Sequence, residues 1–288
     1  MEKRMSNVSR NRKQNRRKRR IRIVKVICHT WIILLTAAVC MIGYRLIRRY
    51  EEYHTQTKMA QMSTKTYNKE YERIEEDKAK NEQDKIRVRE IYANNRELLV
   101  LVNKSVELPE HLAEHYREKL QPICRGRLKA SKDMYEDFSA MLNAAYDEGY
   151  QYWINCAYRD RDLQQKLVDE DVANFINQGM SRDEALQETL RETMPPGYSE
   201  HETGLAVDIV TANNGEVNGS QANEPGNQWL QQHCVEYGFI LRYPEDKEDI
   251  TQINYEPWHF RYVGKEAAEF ISSHHLCLEE FVEMGQSS

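Results

Sequence analysis

Nineteen consecutive uncharged residues, Val26 to Tyr44, stand between Lys25 and Arg45 and constrain what the rest of the chain can become. A helix needs roughly 20 apolar residues to cross the hydrocarbon of a bilayer, so the run reads as one transmembrane helix over 26–44. Residues 1–25 carry twelve Lys or Arg against the single acid Glu2, whereas Arg45, Arg48 and Arg49 follow the run. The positive-inside rule therefore puts the N-terminus in the cytoplasm and the body outside the cell, as a single-pass protein of the cell membrane. A cleaved signal peptide fits less well, because the basic region is long and the apolar run exceeds a usual signal core. Basic residues this close to a span hold orientation and meet anionic lipid. No nucleic-acid partner is expected from them.

The formal net charge of −5 hides an uneven distribution: residues 26–288 hold 29 basic and 45 acidic residues, a net of −16. Residues 45–92 are highly charged, contain no Pro or Gly, and show only a thin apolar stripe of Met59, Met62, Tyr67, Tyr71 and Ile74. Such a segment cannot bury a core of its own and reads as a helical stalk, on the order of 70 Å long if fully helical. Its stripe allows no more than weak self-association, and the oligomeric state stays open.

The remaining residues, 93–288, are long enough for one substantial core. Leu98 to Val102 (LLVLV) predicts a short strand. Met134, Phe138, Met141, Leu142 and Ala145 fall at helical spacing over 131–149, with Gly149 placed to end the helix. Strands are expected at 151–158, 204–211 and 252–263, and helices at 161–178, 181–193 and 226–237. This mixed order without regular βαβ alternation predicts an α+β fold around a mainly antiparallel sheet. Cys124, Cys156, Cys234 and Cys277 form no CxxC pair, and free small buried residues are their simplest reading.

Two segments carry candidate chemistry: Ser199-Glu200-His201-Glu202-Thr203-Gly204-Leu205-Ala206-Val207-Asp208, and Glu256-Pro257-Trp258-His259. A catalytic zinc takes three nitrogen or oxygen ligands and keeps one position free. His201, Asp208 and His259 make such a set, with Glu256 beside them as a carboxylate suited to proton transfer. His201 and Asp208 are seven residues apart, and Glu256 and His259 three, so on regular strands each pair would face opposite sides. Gly204 and Pro257 are suited to supply the irregularity that each pair needs. Plainer readings exist for each residue alone: a surface histidine, a turn-capping Asp208, a solvated Glu256. His111, His115, His274 and His275 lack a matching carboxylate partner and read as surface residues.

The first segment resembles the SxHxxGxAxD motif of the LAS metallopeptidases, and EPWH resembles their second motif. The surroundings are similar to the VanY-like D-alanyl-D-alanine carboxypeptidases, in LVNKSVELP (101–109), AYRDRDLQ (157–164), PGYSEHETGLAVDI (196–209), YGFILRYP (237–244) and ITQINYEPWHFRYVG (250–264). The resemblance covers roughly 95–285. It implies a LAS or Hedgehog-type DD-peptidase fold, zinc on His201, Asp208 and His259, and Glu256 as general base and acid. It also implies that Arg159 engages substrate near the scissile carbonyl or terminal carboxylate. Gln164, Ser199, Tyr158 and Trp258 are implied as substrate-binding. One departure stands out: the family commonly shows Ser-Gly-Tyr-Arg-Ser where this chain has Cys156-Ala157-Tyr158-Arg159-Asp160. The expected activity is removal of the terminal D-Ala from peptidoglycan stem pentapeptides. An L,D-carboxypeptidase acting on the tetrapeptide and a non-catalytic cell-wall-binding module are the alternatives.

Overall fold

The computed structural model describes Trp31, residues 35–55 and residues 64–287. Contacts divide the chain into two units, residues 1–79 and 80–288. In the first, residues 35–55 are helical, as is the start of helix α1 (Thr64–Asn94). Among the described residues no helix is long and apolar enough to cross a membrane. The expected span at 26–44 lies partly outside the described residues, as do residues 56–63 of the expected stalk.

The second unit begins earlier than position 93. Val88 and Ile91, on the last turns of α1, are buried among Leu99, Phe270 and Phe281. Those turns belong to the globular core rather than to a spacer.

After α1 come α2 (Glu110–Glu118), the hairpin β1 (Leu120–Ile123) and β2 (Leu128–Ser131), and α3 (Tyr135–Asp147). Strand β3 (Tyr152–Cys156) follows, then the helices α4 (Arg161–Asn177) and α5 (Arg182–Glu192). Asp160 caps α4 by accepting the Leu163 amide, and Ser181 with Glu184 forms a capping box on α5. Strand β4 (Ala206–Thr211), α6 (Pro225–His233), β5 (Phe239–Leu241), the single turn α7 (Glu248–Thr251) and β6 (His259–Tyr262) complete the sheet region. The chain closes with α8 (Lys265–Ser273) and α9 (Leu278–Gln286).

The main sheet has the order β3-β4-β6-β5, and every neighbouring pair is antiparallel. The α+β expectation therefore matches the fold. Alternation along the strands assigns the two faces. Val207, Ile209, Phe260 and Tyr262 pack with Phe138 and Met141 in the larger core cluster. The other face carries Ala206 and Asp208 on β4, opposite Arg261 and His259 on β6.

Two expected strands are corrected. Residues 98–102 form no strand, although Leu99 and Val102 are buried. The Leu98 and Val100 carbonyls accept from Nη2 of Arg261, at 2.9 and 3.0 Å, so a side chain satisfies what a ladder would have. The strand expected at 252–263 shrinks to 259–262. Gln252 sits at φ 61, Pro257 has no N–H to offer, and the Glu256 amide donates to the Tyr243 carbonyl.

Gly204 carries the bend that sequence spacing demanded. Its φ is 68, and an added Cβ would lie 2.6 Å from Leu120 Cδ2 and 3.0 Å from the Ser131 nitrogen. Replacing it by alanine forces both a left-handed L-residue and a clash with backbone. We expect Gly204→Ala to lower stability by more than about 1–2 kcal/mol, the left-handed penalty alone, read as a shifted urea midpoint. An unchanged midpoint would contradict this account of the bend.

Candidate active site

His201 lies in a short 3-10 turn, Glu200–Thr203, that ends at Gly204. Its Nδ1 donates to the Ala157 carbonyl at 2.6 Å, and the Arg159 amide donates to the carbonyl of His201 at 3.1 Å. The segment after β3 therefore grips the histidine from two sides and leaves Nε2 facing Asp208 Oδ2 at 3.3 Å. Asp208 sits on β4 directly opposite His259 on β6. Nδ1 of His259 faces Asp208 Oδ1 at 3.3 Å and Glu256 Oε2 at 3.4 Å. The 256–259 turn that allows this is held by the His259 amide donating to the Glu256 carbonyl and by Asn227 Nδ2 donating to the Pro257 carbonyl.

All four side chains are buried. Asp208 Oδ1, His259 Nε2 and Glu200 Oε2 are buried atoms without a hydrogen-bond partner. Burial opposes charge on the imidazoles, yet Cys156 and Asp208 raise His201 to about 10, and Asp208 and Glu200 raise His259. Burial likewise works against ionised Asp208, but the two histidines hold its carboxyl well below the usual range. The acceptors thus draw protons where positive charge is wanted. Two imidazoles and a buried carboxylate whose Oδ1 has no hydrogen-bond partner fit a divalent cation such as zinc.

Burial, reinforced by the charge of Asp208, pushes the Glu256 carboxyl up to about 7. A carboxylate poised near neutrality is suited to taking and returning a proton.

These groups line a cavity of about 300 Å3, together with Arg159, Ser199 and Trp258. Arg159 is fixed by donating from Nε to Gln164 Oε1 at 2.7 Å, while Gln164 Nε2 donates to the Met194 carbonyl at 2.6 Å. Gln164 is buried and does not line the cavity itself, so it acts on the site through two residues that do, Arg159 and Met194. Tyr158 is not brought to the cavity. Its hydroxyl accepts from Arg117 Nε at 3.4 Å, in a separate groove with Arg161. Adjacent residues on extended chain point to opposite sides, and Arg159 takes the inner one.

Sequence reasoning missed the charged network behind the histidines. Glu200 Oε1 accepts from Arg242 Nε at 2.7 Å and from Arg261 Nη1 at 2.8 Å, and all three side chains are fully buried. Its other oxygen lies 3.6 Å from Nε2 of His259. Arg242 also pairs with both oxygens of Glu279, at 2.8 and 2.6 Å. Burial would raise Glu200, but the two guanidiniums hold it well below the usual carboxylate range. A carboxylate behind a ligating histidine orients its ring and selects which nitrogen is free. Glu200 adjoins His201, and that adjacency was the only sequence signal for it.

The arrangement of a buried His/Asp/His set, a neighbouring carboxylate and a cavity-lining arginine defines a metallopeptidase site on an α+β scaffold. The VanY family, described as D-alanyl-D-alanine carboxypeptidase, matches residues 127–265. The putative carboxypeptidase YodJ of Bacillus subtilis (strain 168) is 36% identical over 205 residues, 67% of this chain and 70% of that protein. A solved structure of the vancomycin-resistance D,D-pentapeptidase VanY in complex with Zn(II) aligns with a TM-score of 0.57 at 33% identity. It covers 65% of this chain and 99% of the other. The LD-carboxypeptidase LdcB aligns with a TM-score of 0.54 at 34% identity, over 64% of this chain and 85% of the other. The chain belongs to the VanY family of carboxypeptidases.

Two outcomes follow from the electrostatics. Glu200→Gln leaves two buried guanidiniums short of a counter-charge and should cost about 3–5 kcal/mol in denaturant unfolding. Loss of under 1 kcal/mol would mean that the network is not a unit. Glu256 gives a pH signature in protein stripped by a chelator. Its folded pKa of about 7 lies above the reference 4.5, so the fold loses stability as pH rises between those values. Glu256→Gln removes that penalty, making the stripped variant more stable than its parent at pH 8 by roughly 3 kcal/mol and equal near pH 4. Equal melting temperatures at pH 8 would refute it.

Proposed function

We propose that this protein is a zinc D,D-carboxypeptidase that removes the terminal D-Ala from peptidoglycan stem pentapeptides outside the cell membrane. The observation that carries the reading is the juxtaposition in one cavity of the buried His201, Asp208 and His259 with Glu256 and Arg159. His201 through Nε2, Asp208, and His259 through Nδ1 would hold the zinc. Bound there, zinc polarises the scissile carbonyl and acidifies the attacking water.

The protein's own groups divide the remaining work. Glu256 Oε2, 3.4 Å from His259 Nδ1, accepts the proton of the attacking water and returns it to the amine of the departing D-Ala. Arg159, held by Gln164, meets the terminal carboxylate or the oxyanion that develops at the carbonyl. Ser199 and Trp258 shape the wall around the terminal residue. A cavity of about 300 Å3 suits the end of a peptide rather than a whole stem.

The sequence pattern supports the location: the uncharged run 26–44 with the twelve basic residues before it reads as a membrane anchor whose N-terminus is cytoplasmic. The match to LdcB supports a second reading, cleavage of the tetrapeptide.

The full-length protein should release D-Ala from a pentapeptide stem, read by mass spectrometry, and a chelator should stop it. Glu256→Gln should lower the rate by about 10²- to 10⁴-fold. Release only from tetrapeptide would move the enzyme to the L,D class. Release from neither, with zinc bound, would overturn both.

A further inference from the structure

One charged residue on the cavity wall has no task in the proposed reaction. Glu192 lines the cavity beside Thr193 and Met194. Its Oε1 accepts from Nδ2 of Asn254 at 3.2 Å. Among the described residues no Lys, Arg or His lies within ion-pair reach of its carboxylate. Arg191, beside it, pairs with Glu188 at 3.5 Å, and Lys104 donates to the Gln252 carbonyl at 2.6 Å.

The position on the helix makes this charge costly. Glu192 is the last residue of α5, where the aligned peptide dipoles leave a negative end that disfavours an acid and favours a cation. The helix end is also short of amides. A helical carbonyl bonds the amide four residues on, and for Arg191 and Glu192 those positions are Pro195 and Pro196, which have no N–H. The Thr193 amide still closes on the Thr189 carbonyl before the backbone turns extended. A second carboxylate shares the cavity: after burial and Asp208, the charge of Glu192 adds to what pushes Glu256 up. A primary ammonium, with three donors and a positive charge, is the group that such a wall lacks. Arg159 gives the same cavity its positive pole, so the lining suits a peptide end that carries both signs.

We propose that Glu192 and the C-terminal end of α5 form a subsite for a primary ammonium of the substrate, and thereby set which peptides the enzyme prefers. This rests on the carboxypeptidase reading above. Two sources bring that group close to a D-Ala-D-Ala terminus. One is the side-chain amine of a diamino acid in the third position of the stem, roughly 7 Å along extended chain from the terminal residue. The other is the α-amine of the free dipeptide.

D-Ala release by the full-length, zinc-loaded protein from pentapeptides with lysine, norleucine or glutamate in third position tests the first source. The ratio kcat/KM should favour lysine over norleucine at least about fivefold, chiefly through KM. In Glu192→Gln, which keeps an acceptor for Asn254, that preference should vanish, and Glu192→Lys should favour glutamate instead. Free and N-acetylated D-Ala-D-Ala test the second source: faster cleavage of the free dipeptide, lost in Glu192→Gln, assigns the ammonium to the α-amine. Calorimetric binding of the same peptides to Glu256→Gln should reproduce the preference without turnover. A preference for the ammonium that survives both Glu192 substitutions, or none from either source in the parent, would overturn the subsite and leave the carboxypeptidase reading standing. Release from no peptide at all would overturn both.

Discussion

One buried carboxylate organises the domain. Glu200 has no exposed surface and lies between two guanidiniums, those of Arg242 and Arg261, that are equally buried. In a low-dielectric interior such charges persist only as a set, because removing one leaves the others unpaid for in solvation. The set reaches far along the chain. Arg261 belongs to β6 and satisfies the carbonyls of Leu98 and Val100, while Arg242 follows β5 and grips Glu279 on α9. Five distant segments are therefore tied through a single residue that sits next to His201 and behind His259.

The site inherits its geometry from that anchor and from three interruptions of regular structure. Gly204, in the left-handed region, turns the chain between His201 and Asp208. The proline turn before β6 lets Glu256 and His259 meet at 3.4 Å. The bulge in β3 brings Cys156 opposite Asp208. Perfect strands would have scattered these groups over both faces of the sheet. Regular secondary structure supplies the rigid frame, and its local failures supply convergence.

Much of this was legible in the chain itself. The helical spacing of Met134, Phe138 and Met141 located α3, and the boundaries of α4 and α5 fell close to their caps. His201, Asp208, His259 and Glu256 were named as a group because their types and their awkward odd spacings, next to Gly204 and Pro257, have a chemical meaning. The LLVLV segment misled for a physical reason. Apolar composition reports burial, which is correct for Leu99 and Val102, but not whether a strand or an arginine takes the backbone hydrogen bonds.

What the sequence determined by itself was local: amphipathic periods, capping residues, the glycine and proline that bend the chain, and which side chains could bind a cation. What only the tertiary structure decided was long-range. Arg242 and Arg261 look like surface charges in sequence and become fully buried, because their partners lie 42 and 61 residues away at Glu200. Gln164 reaches the site through Arg159 and the Met194 backbone, and Tyr158 leaves it, because the direction of a side chain depends on the backbone it leaves from. Strand register decided that Cys156 shares a row with Asp208 and His259. Pairing across a sheet, the burial of charge and the slip of one residue are set by contacts between distant segments, and no local pattern encodes them.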